Sequence, residues 1–397
     1  MLKAYIINGL DINIWGLTPY ERIAKVLEKK KDIQLIKKLD SLKDDDEIVL
    51  FNGDYIFDER IIDYIINNKN ICIKTKESRN EHIVAIHGVG INAKNYYYSI
   101  KENDIKHLPD NIKIIDLKDI ITNTFRTSLR KVDRPYLLNV KNTPRKYIEN
   151  KIYYGTYKGV TDIITRVVWP KPAKLAVKFC VSRGITPNEV TTLSLILALI
   201  AGLLFYFNLY TLGLVLGWFM TFLDTVDGKL ARATISYSRF GYRYDHAIDL
   251  VHPIYWYLCW GLSLDALNTP MEAVWFALWI IIIFYIIGRI LEGGFKLFLK
   301  TSFHIYCWRP FDSILRLFIA RRNPNLIILT ISAVFSAYTI GLYLVSLWTL
   351  ISAIILLIRF ILAIKEKKRE GKLTSWLDNI DTEMINKKRI YKLFIYD

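Results

Sequence analysis

Residues 190–223 form a run of 34 positions without an acidic or basic side chain. A helix of about 20 apolar residues already spans the ~30 Å hydrocarbon core of a bilayer, so this run constrains the chain to a membrane. The run ends at Asp224. Four carboxylates, Asp224, Asp227, Asp245 and Asp249, then follow beside further apolar stretches. Ionisable groups at membrane depth are costly unless paired or metal-bound. A divalent cation holding a phosphate-bearing substrate would balance them.

The formal net charge of +16 would suit a nucleic-acid binder, but the basic residues gather between the apolar runs. That is the positive-inside pattern of cytoplasmic loops, and no nucleic-acid partner is expected. Six spans are predicted near 189–208, 211–233, 239–263, 271–296, 324–345 and 346–365. The turns assigned to the outside, about 208–211, 263–272 and near Val345, contain no Lys or Arg. The inner segments hold Lys229, Arg232, Arg239 and Arg243, then Lys296, Lys300, Arg309, Arg316, Arg321 and Arg322, then Lys365, Lys367, Lys368, Arg369 and Lys372. A multi-pass protein with both termini and the acidic motif in the cytoplasm follows. Residues 1–10 are too short for a signal-peptide core and Asp11 closes them. Cys72, Cys180, Cys259 and Cys307 are widely spaced and read as reduced packing residues.

The fold class expected is two-part: a small α/β layer domain, then an all-α membrane domain with six transmembrane helices. Strand-like runs at 4–7, 47–51, 71–74 and 112–115 alternate with helical stretches. Residues 18–29 read as a helix, with Thr18 as cap, Pro19 in the first turn and Glu21 at capping-box spacing. Residues 1–145 are assigned to the α/β domain. Residues 146–185 are a linker ending in a basic amphipathic segment, 161–183, broken by Pro170 and Pro172 and suited to membrane lipids. Residues 186–366 form the six-span domain and 367–397 a basic cytoplasmic tail.

The motif runs D-x-x-D-G-x-x-A-R-x8-G-x-x-x-D-x-x-x-D through Asp224, Asp227, Gly228, Ala231, Arg232, Gly241, Asp245 and Asp249. Spacings of three and four residues place each acid pair on one helix face. Two antiparallel spans with a short connection then bring the pairs together. Carboxylates that complete a metal shell with substrate phosphates are the Mg²⁺ or Mn²⁺ pattern. Gly228 inside a helix costs about 1 kcal/mol relative to Ala, so with Gly241 and Ala231 it implies a close ligand. Arg232 is a natural bidentate clamp for a diphosphate.

These residues resemble the complete signature of the CDP-alcohol phosphotransferases, or CDP-alcohol phosphatidyltransferases. Ile185, Thr186, Pro187 and Asn188 are similar to a segment common before the first span of that family. The resemblance covers about residues 160–366. It implies that a CDP-alcohol donor, such as CDP-diacylglycerol, passes its phosphoryl-alcohol group to an acceptor hydroxyl and releases CMP, in phospholipid or polar-lipid synthesis. It also implies that Asp224, Asp227 and Asp245 bind metal, that Asp249 is the general base with some metal contact, and that Gly228, Ala231, Arg232 and Gly241 hold the CDP moiety. Two Mg²⁺ or Mn²⁺ ions and a homodimer belong to the same implication.

Asn52-Gly53-Asp54 after the second strand resembles the strand-end aspartate of sugar-nucleotide nucleotidyltransferases. The glycine-rich loop that should follow the first strand is reduced to Gly9, so a non-catalytic domain is expected. His246 falls off the acidic face and reads as packing, or as a contact behind the acids, rather than as a metal ligand. Arg289 and Glu292 read as an ion pair, with Arg289 as an alternative acceptor-phosphate ligand. His304, Trp308, Arg309 and Asp312 read as interfacial anchors. The rival readings are a transporter with an acidic cation site, disfavoured because transporters place such charges at the midplane, and a silent membrane scaffold.

Overall fold

The computed structural model describes residues 1–77, 80–120, 124–378, 380 and 394. Two units separate. One comprises Met1–Thr124, Arg134–Tyr153 and Ala233–Ile235, the other Phe125–Asp133, Tyr154–Arg232 and Ser236–Asp397. Residues 125–133, which the sequence reading places in the α/β domain, thus belong to the helical unit.

In the first unit, β1 (Leu2–Ile7), β2 (Ile33–Leu35), β3 (Glu47–Asn52), β5 (Ile71–Glu77), β6 (Asn80–Val89) and β7 (Lys113–Asp116) form a sheet in the order β2-β1-β3-β6-β5-β7. β1 pairs in parallel with β2 and β3, whereas β6 runs antiparallel between β3 and β5. Ile48, Val49, Leu50 and Phe51 are all fully buried, so both faces of β3 are covered. Val49 and Phe51 pack with α1 (Pro19–Glu28) and α2 (Glu59–Asn67), and Ile48 and Leu50 with α3 (Ala93–Glu102). α1 begins with the capping box expected: Glu21 N–H donates to the Thr18 hydroxyl, and Thr18 N–H to the Glu21 carboxylate. β2 and β6 fall outside the predicted strand runs, as do β4 (Tyr55–Phe57) and β10 (Leu137–Asn139), which pair antiparallel with each other and are followed by α4 (Arg145–Gly155).

The loop after β1 closes tightly on the turn after β3. A Cβ on Gly9 would lie 2.2 Å from the Gly53 carbonyl, and one on Gly53 would lie 2.3 Å from the Ile7 oxygen. Leu10 N–H donates to Asp54 Oδ1 at 3.0 Å, and Lys141 Nζ lies 2.5 Å from Asp54 Oδ2.

The second unit is helical. A short hairpin, β8 (Phe125–Arg126) and β9 (Lys131–Val132), precedes α5 (Pro170–Arg183), α6 (Pro187–Tyr206), α7 (Tyr210–Ala233), α8 (Arg239–Ser263), α9 (Met271–Phe298), α10 (Pro310–Phe318), α11 (Arg322–Val334) and α12 (Tyr338–Glu370). Pro170 starts α5 rather than breaking it, as suits proline in a first helical turn. Val167, Leu175 and Phe179 stand exposed along this basic segment.

Among the described residues, three helices are long and apolar enough to cross a membrane: α6, α9 and α12. α7 and α8 have spanning length but carry the charged motif. The fifth predicted span is corrected: α11 has 13 residues and is about 20 Å long, and the break falls at residues 335–337 instead of near Val345. Ser336 takes a positive φ of 54° there and Ala337 N–H donates to Ser332 O at 2.8 Å. Neither glycine nor proline marks the turn, so an unbroken apolar run hides it. The interfacial-anchor reading also fails, because Trp308 and Asp312 are 2 % and 1 % exposed. Trp308 packs with Phe125, Val160, Phe303 and Leu377, and Asp312 accepts two bonds from Arg359. All four cysteines are buried and free.

α6 and α8 cross at Gly202, where a Cβ would meet the Tyr255 ring at 2.1 Å. Beside it, Trp256 Nε1 donates to Ala198 O at 2.7 Å and Tyr255 to Leu199 O at 3.0 Å. Small residues at such crossings let helix backbones approach closely. Gly202→Ala is therefore expected to destabilise the helical unit by about 1–3 kcal/mol through overpacking. A lower thermal unfolding midpoint of the detergent-solubilised chain would show it, and an unchanged midpoint would refute the close crossing.

Candidate active site

The acidic motif occupies the C-terminal part of α7 and the N-terminal part of α8. Ser238 caps α8 by accepting from Gly241 N–H at 3.0 Å, which turns the chain sharply back towards α7. One oxygen each of Asp224, Asp245 and Asp249 then lies within 4.8 Å of the others. Three carboxylates so close repel one another strongly. Arg322, at the start of α11, answers part of that charge: Nη2 lies 2.5 Å from Asp224 Oδ2 and Nη1 2.8 Å from Asp249 Oδ1. An all-carboxylate donor set with this convergence fits a hard divalent ion.

Asp227 is placed differently. Three residues advance a helix by about 300°, so its side chain diverges by about 60° from that of Asp224. It is 4 % exposed, and its Oδ2 accepts from the Thr191 hydroxyl of α6 at 2.6 Å. Asp227 is not among the three clustered acids. Instead it lines an open-mouthed groove between α6, α7 and α8, together with Asn188, Gly228, Ala231, Arg232, Gly241 and Asp245. All four residues expected to hold a CDP moiety thus face one groove. The groove also explains its glycines. A Cβ on Gly228 would meet Arg232 Nη2 at 3.0 Å, and one on Gly241 the Asn188 oxygen at 2.8 Å. Arg232 is steadied by donating Nε–H to Thr156 O at 2.9 Å.

Other polar groups surround the acids. His246 stacks on Tyr242 and lies 4.0 Å from Asp245, outside the acidic cluster. Glu292 on α9 accepts from Arg289 at 2.5 Å and Tyr306 at 2.6 Å and also pairs with Arg321, so the Arg289 pair is present within a larger network. Lys158, in the loop before α5, interacts electrostatically with Asp245 and Asp249. Burial, followed by the neighbouring Arg130 and Arg232 guanidiniums, pushes its ammonium down to about 8.

Thr191, Lys158 and the bridging role of Arg322 escape a reading by sequence spacing. Arg322 stands 73 residues from Asp249 and looks like one of many inner-loop cations. Asn188 carried a signal, through the Ile185-Thr186-Pro187-Asn188 segment.

Residues 184–364 match the sequence model of the CDP-alcohol phosphatidyltransferase family, and the motif lies wholly within that span. The chain carries a CDP-alcohol phosphatidyltransferase domain. It is a membrane phosphotransferase of phospholipid biosynthesis. Over 184 residues the transferase is 29 % identical to archaetidylinositol phosphate synthase of Pyrococcus horikoshii, covering 46 % of this chain and 88 % of that protein. It is also similar to the crystal structure of the Mycobacterium tuberculosis phosphatidylinositol phosphate synthase with CDP-DAG bound. That likeness has a TM-score of 0.40 and 18 % identity, over 48 % of this chain and 94 % of the other.

Removing the Arg322 guanidinium leaves the acids of the transferase without their protein counter-ion. Breaking a buried pair costs several kcal/mol, but the Asp249 side chain is 43 % exposed, so the loss is discounted for solvent. Arg322→Gln in EDTA is expected to destabilise by about 1–3 kcal/mol. An unchanged unfolding midpoint would show that solvent, and not Arg322, balances the acids.

Proposed function

We propose that Asp224, Asp245 and Asp249 hold Mg²⁺ or Mn²⁺ and that the groove beside them binds the CDP end of a lipid-linked donor such as CDP-diacylglycerol. The observation that carries this is the convergence of three carboxylates at the end of a groove lined by Gly228, Ala231, Arg232 and Gly241. The four-carboxylate motif has charge enough for two ions. Divalent cations held by these carboxylates would supply charge to neutralise the diphosphate and the departing CMP.

The remaining chemistry falls to the protein. Arg232 offers its guanidinium to the diphosphate, a task suited to its planar fork. Asn188 and Thr191 present polar groups at the groove wall, with Thr191 fixing Asp227. Asp249 accepts the proton of the acceptor hydroxyl. The acceptor oxygen then bonds to the phosphorus that carries the donor alcohol. The bond from that phosphorus to the bridging oxygen breaks, and the electron pair leaves with CMP. The products are a phosphodiester, CMP and one proton.

The charge pattern supports cytoplasmic placement of the motif and both termini, with α7, α8 and a short α11 completing six membrane elements. α5 lies along the bilayer surface with its basic side chains towards anionic head groups. The transferase works as a homodimer. The first unit, residues 1–145 of the sequence reading, is a nucleotidyltransferase-like domain without nucleotidyl transfer. The close Gly9–Gly53 approach and the Lys141–Asp54 pair support that reading, since they fill the space a phosphate loop and a metal would need.

The test is CMP release by purified protein in nanodiscs with Mg²⁺ or Mn²⁺, offering CDP-diacylglycerol against a panel of polyols and polyol phosphates. Asp249→Asn is expected to lower turnover by about 10²–10⁴-fold while metal-dependent CDP binding persists. Full activity of Asp249→Asn would remove Asp249 as the base.

A further inference from the structure

Arg232 supplies the positive charge of the groove wall. Its Nε–H donates to Thr156 O at 2.9 Å, and its terminal nitrogens carry no hydrogen bond among the described residues. Those nitrogens lie over Gly228, where a Cβ would stand 3.0 Å from Nη2 and 3.5 Å from Nη1. The guanidinium is thus held by one edge while its two terminal amino groups remain available. A long side chain has rotamer freedom to lose on binding an anion, so a fork fixed beforehand binds more tightly.

Thr156 belongs to a stretch that precedes the family segment, and α7 grips that stretch twice. Lys229, three residues before Arg232, is its neighbour on the helix surface. Lys229 is 4 % exposed, and its Nζ stands 3.9 Å from the centroid of the Tyr157 ring. No hydrogen bond or ion pair engages that ammonium among the described residues. A cation over an aromatic face is attracted by the ring quadrupole, most strongly where water is excluded. Two adjacent residues, Thr156 and Tyr157, therefore meet two cations of one helix face. The stretch is also tied to the β8–β9 hairpin on both sides of this grip. Before it, the fully buried Lys131 donates to Gly155 O at 2.7 Å. After it, Gly159 N–H donates to Leu129 O at 2.9 Å and Val160 N–H to Arg130 O at 3.0 Å. A Cβ on Gly159 would lie 2.5 Å from the Arg130 oxygen, so the two backbones are in close contact.

We propose that Lys229 and Tyr157 are positioning residues: their contact locks residues 155–160 onto α7 and so aims the Arg232 fork at the diphosphate of the donor. This rests on the reading above that the groove takes a CDP moiety. Lys229 and Tyr157 do not line the groove, so their effect on the nucleotide passes through Thr156 O and Arg232.

The experiment uses the full chain in nanodiscs. Calorimetry gives the affinity for CDP with Mg²⁺. Phenylglyoxal labelling followed by peptide mass spectrometry gives the reactivity of Arg232 without nucleotide. Lys229→Met and Tyr157→Leu should each weaken CDP binding about tenfold, as misalignment by a remote change does, and should speed the labelling of Arg232. Tyr157→Phe keeps the ring face and should match the wild type in both readouts. In an Arg232→Lys background, which lacks the Nε–H that Thr156 accepts, neither substitution should weaken CDP binding further. Where Tyr157→Leu fails to fold, Lys229→Met, which fills the same space with an uncharged chain, decides. Equal losses of affinity with and without Arg232→Lys, or labelling unmoved by the single variants, would overturn the proposal. Faster labelling in variants of a chain that binds no CDP would keep the clamp on Arg232 and sink the CDP reading. CDP binding that needs Arg232 yet is indifferent to Lys229 and Tyr157 would do the reverse.

Discussion

Three carboxylates gathered within 4.8 Å at the edge of an apolar helical unit set the terms for the groups around them. Their mutual repulsion has to be met by cations brought from elsewhere in the chain. Arg322 reaches in from α11 to bridge Asp224 and Asp249, and Lys158 approaches from the loop before α5. The same requirement shapes the second ring of charges. Glu292 collects Arg289 and Arg321, which keeps part of the positive charge near α9 satisfied within the protein. Helix packing then holds the arrangement still, with Gly202 letting α6 and α8 approach and Thr191 pinning Asp227 across the groove.

Much of this was legible from residues alone. The spacing of Asp224, Asp227, Asp245 and Asp249 predicted convergence of both pairs, because helical period and a short connection leave few alternatives, and Asp224, Asp245 and Asp249 do cluster. The capping box at Thr18 and Glu21 worked for the same reason: its partners are three residues apart. What stayed hidden depends on distance along the chain or on cancelling signals. The divergence of Asp227 from its partner is a matter of 60° that a same-face argument passes over. The Arg322 contacts join residues 98 and 73 positions apart. The turn between α11 and α12 is made by Ser336 within a continuous apolar run, where hydropathy has no contrast to report. Trp308 and Asp312 looked like surface anchors by composition, and only the packing of Leu377 and the pairing with Arg359 place them inside.

The two units use their glycines in opposite ways. In the first unit helices cover both faces of β3, and the loop after β1 packs backbone to backbone on the turn after β3 through Gly9 and Gly53. Asp54 is engaged by Leu10 N–H and Lys141 rather than exposed to solvent. The helical unit does the opposite with Gly228 and Gly241, using small residues to admit Arg232 and Asn188 to the wall of an open groove.

The central claim is that the converged carboxylates are a divalent-cation centre serving a CDP-bearing substrate. Anomalous diffraction from crystals of the full chain grown with Mn²⁺ and CDP tests it most directly. The account predicts Mn²⁺ at about 2.1 Å from oxygens of Asp224, Asp245 and Asp249, with the CDP in the groove lined by Gly228 and Arg232. Metal bound away from those three residues, or CDP held elsewhere with Arg322 still bridging Asp224 and Asp249, would contradict it.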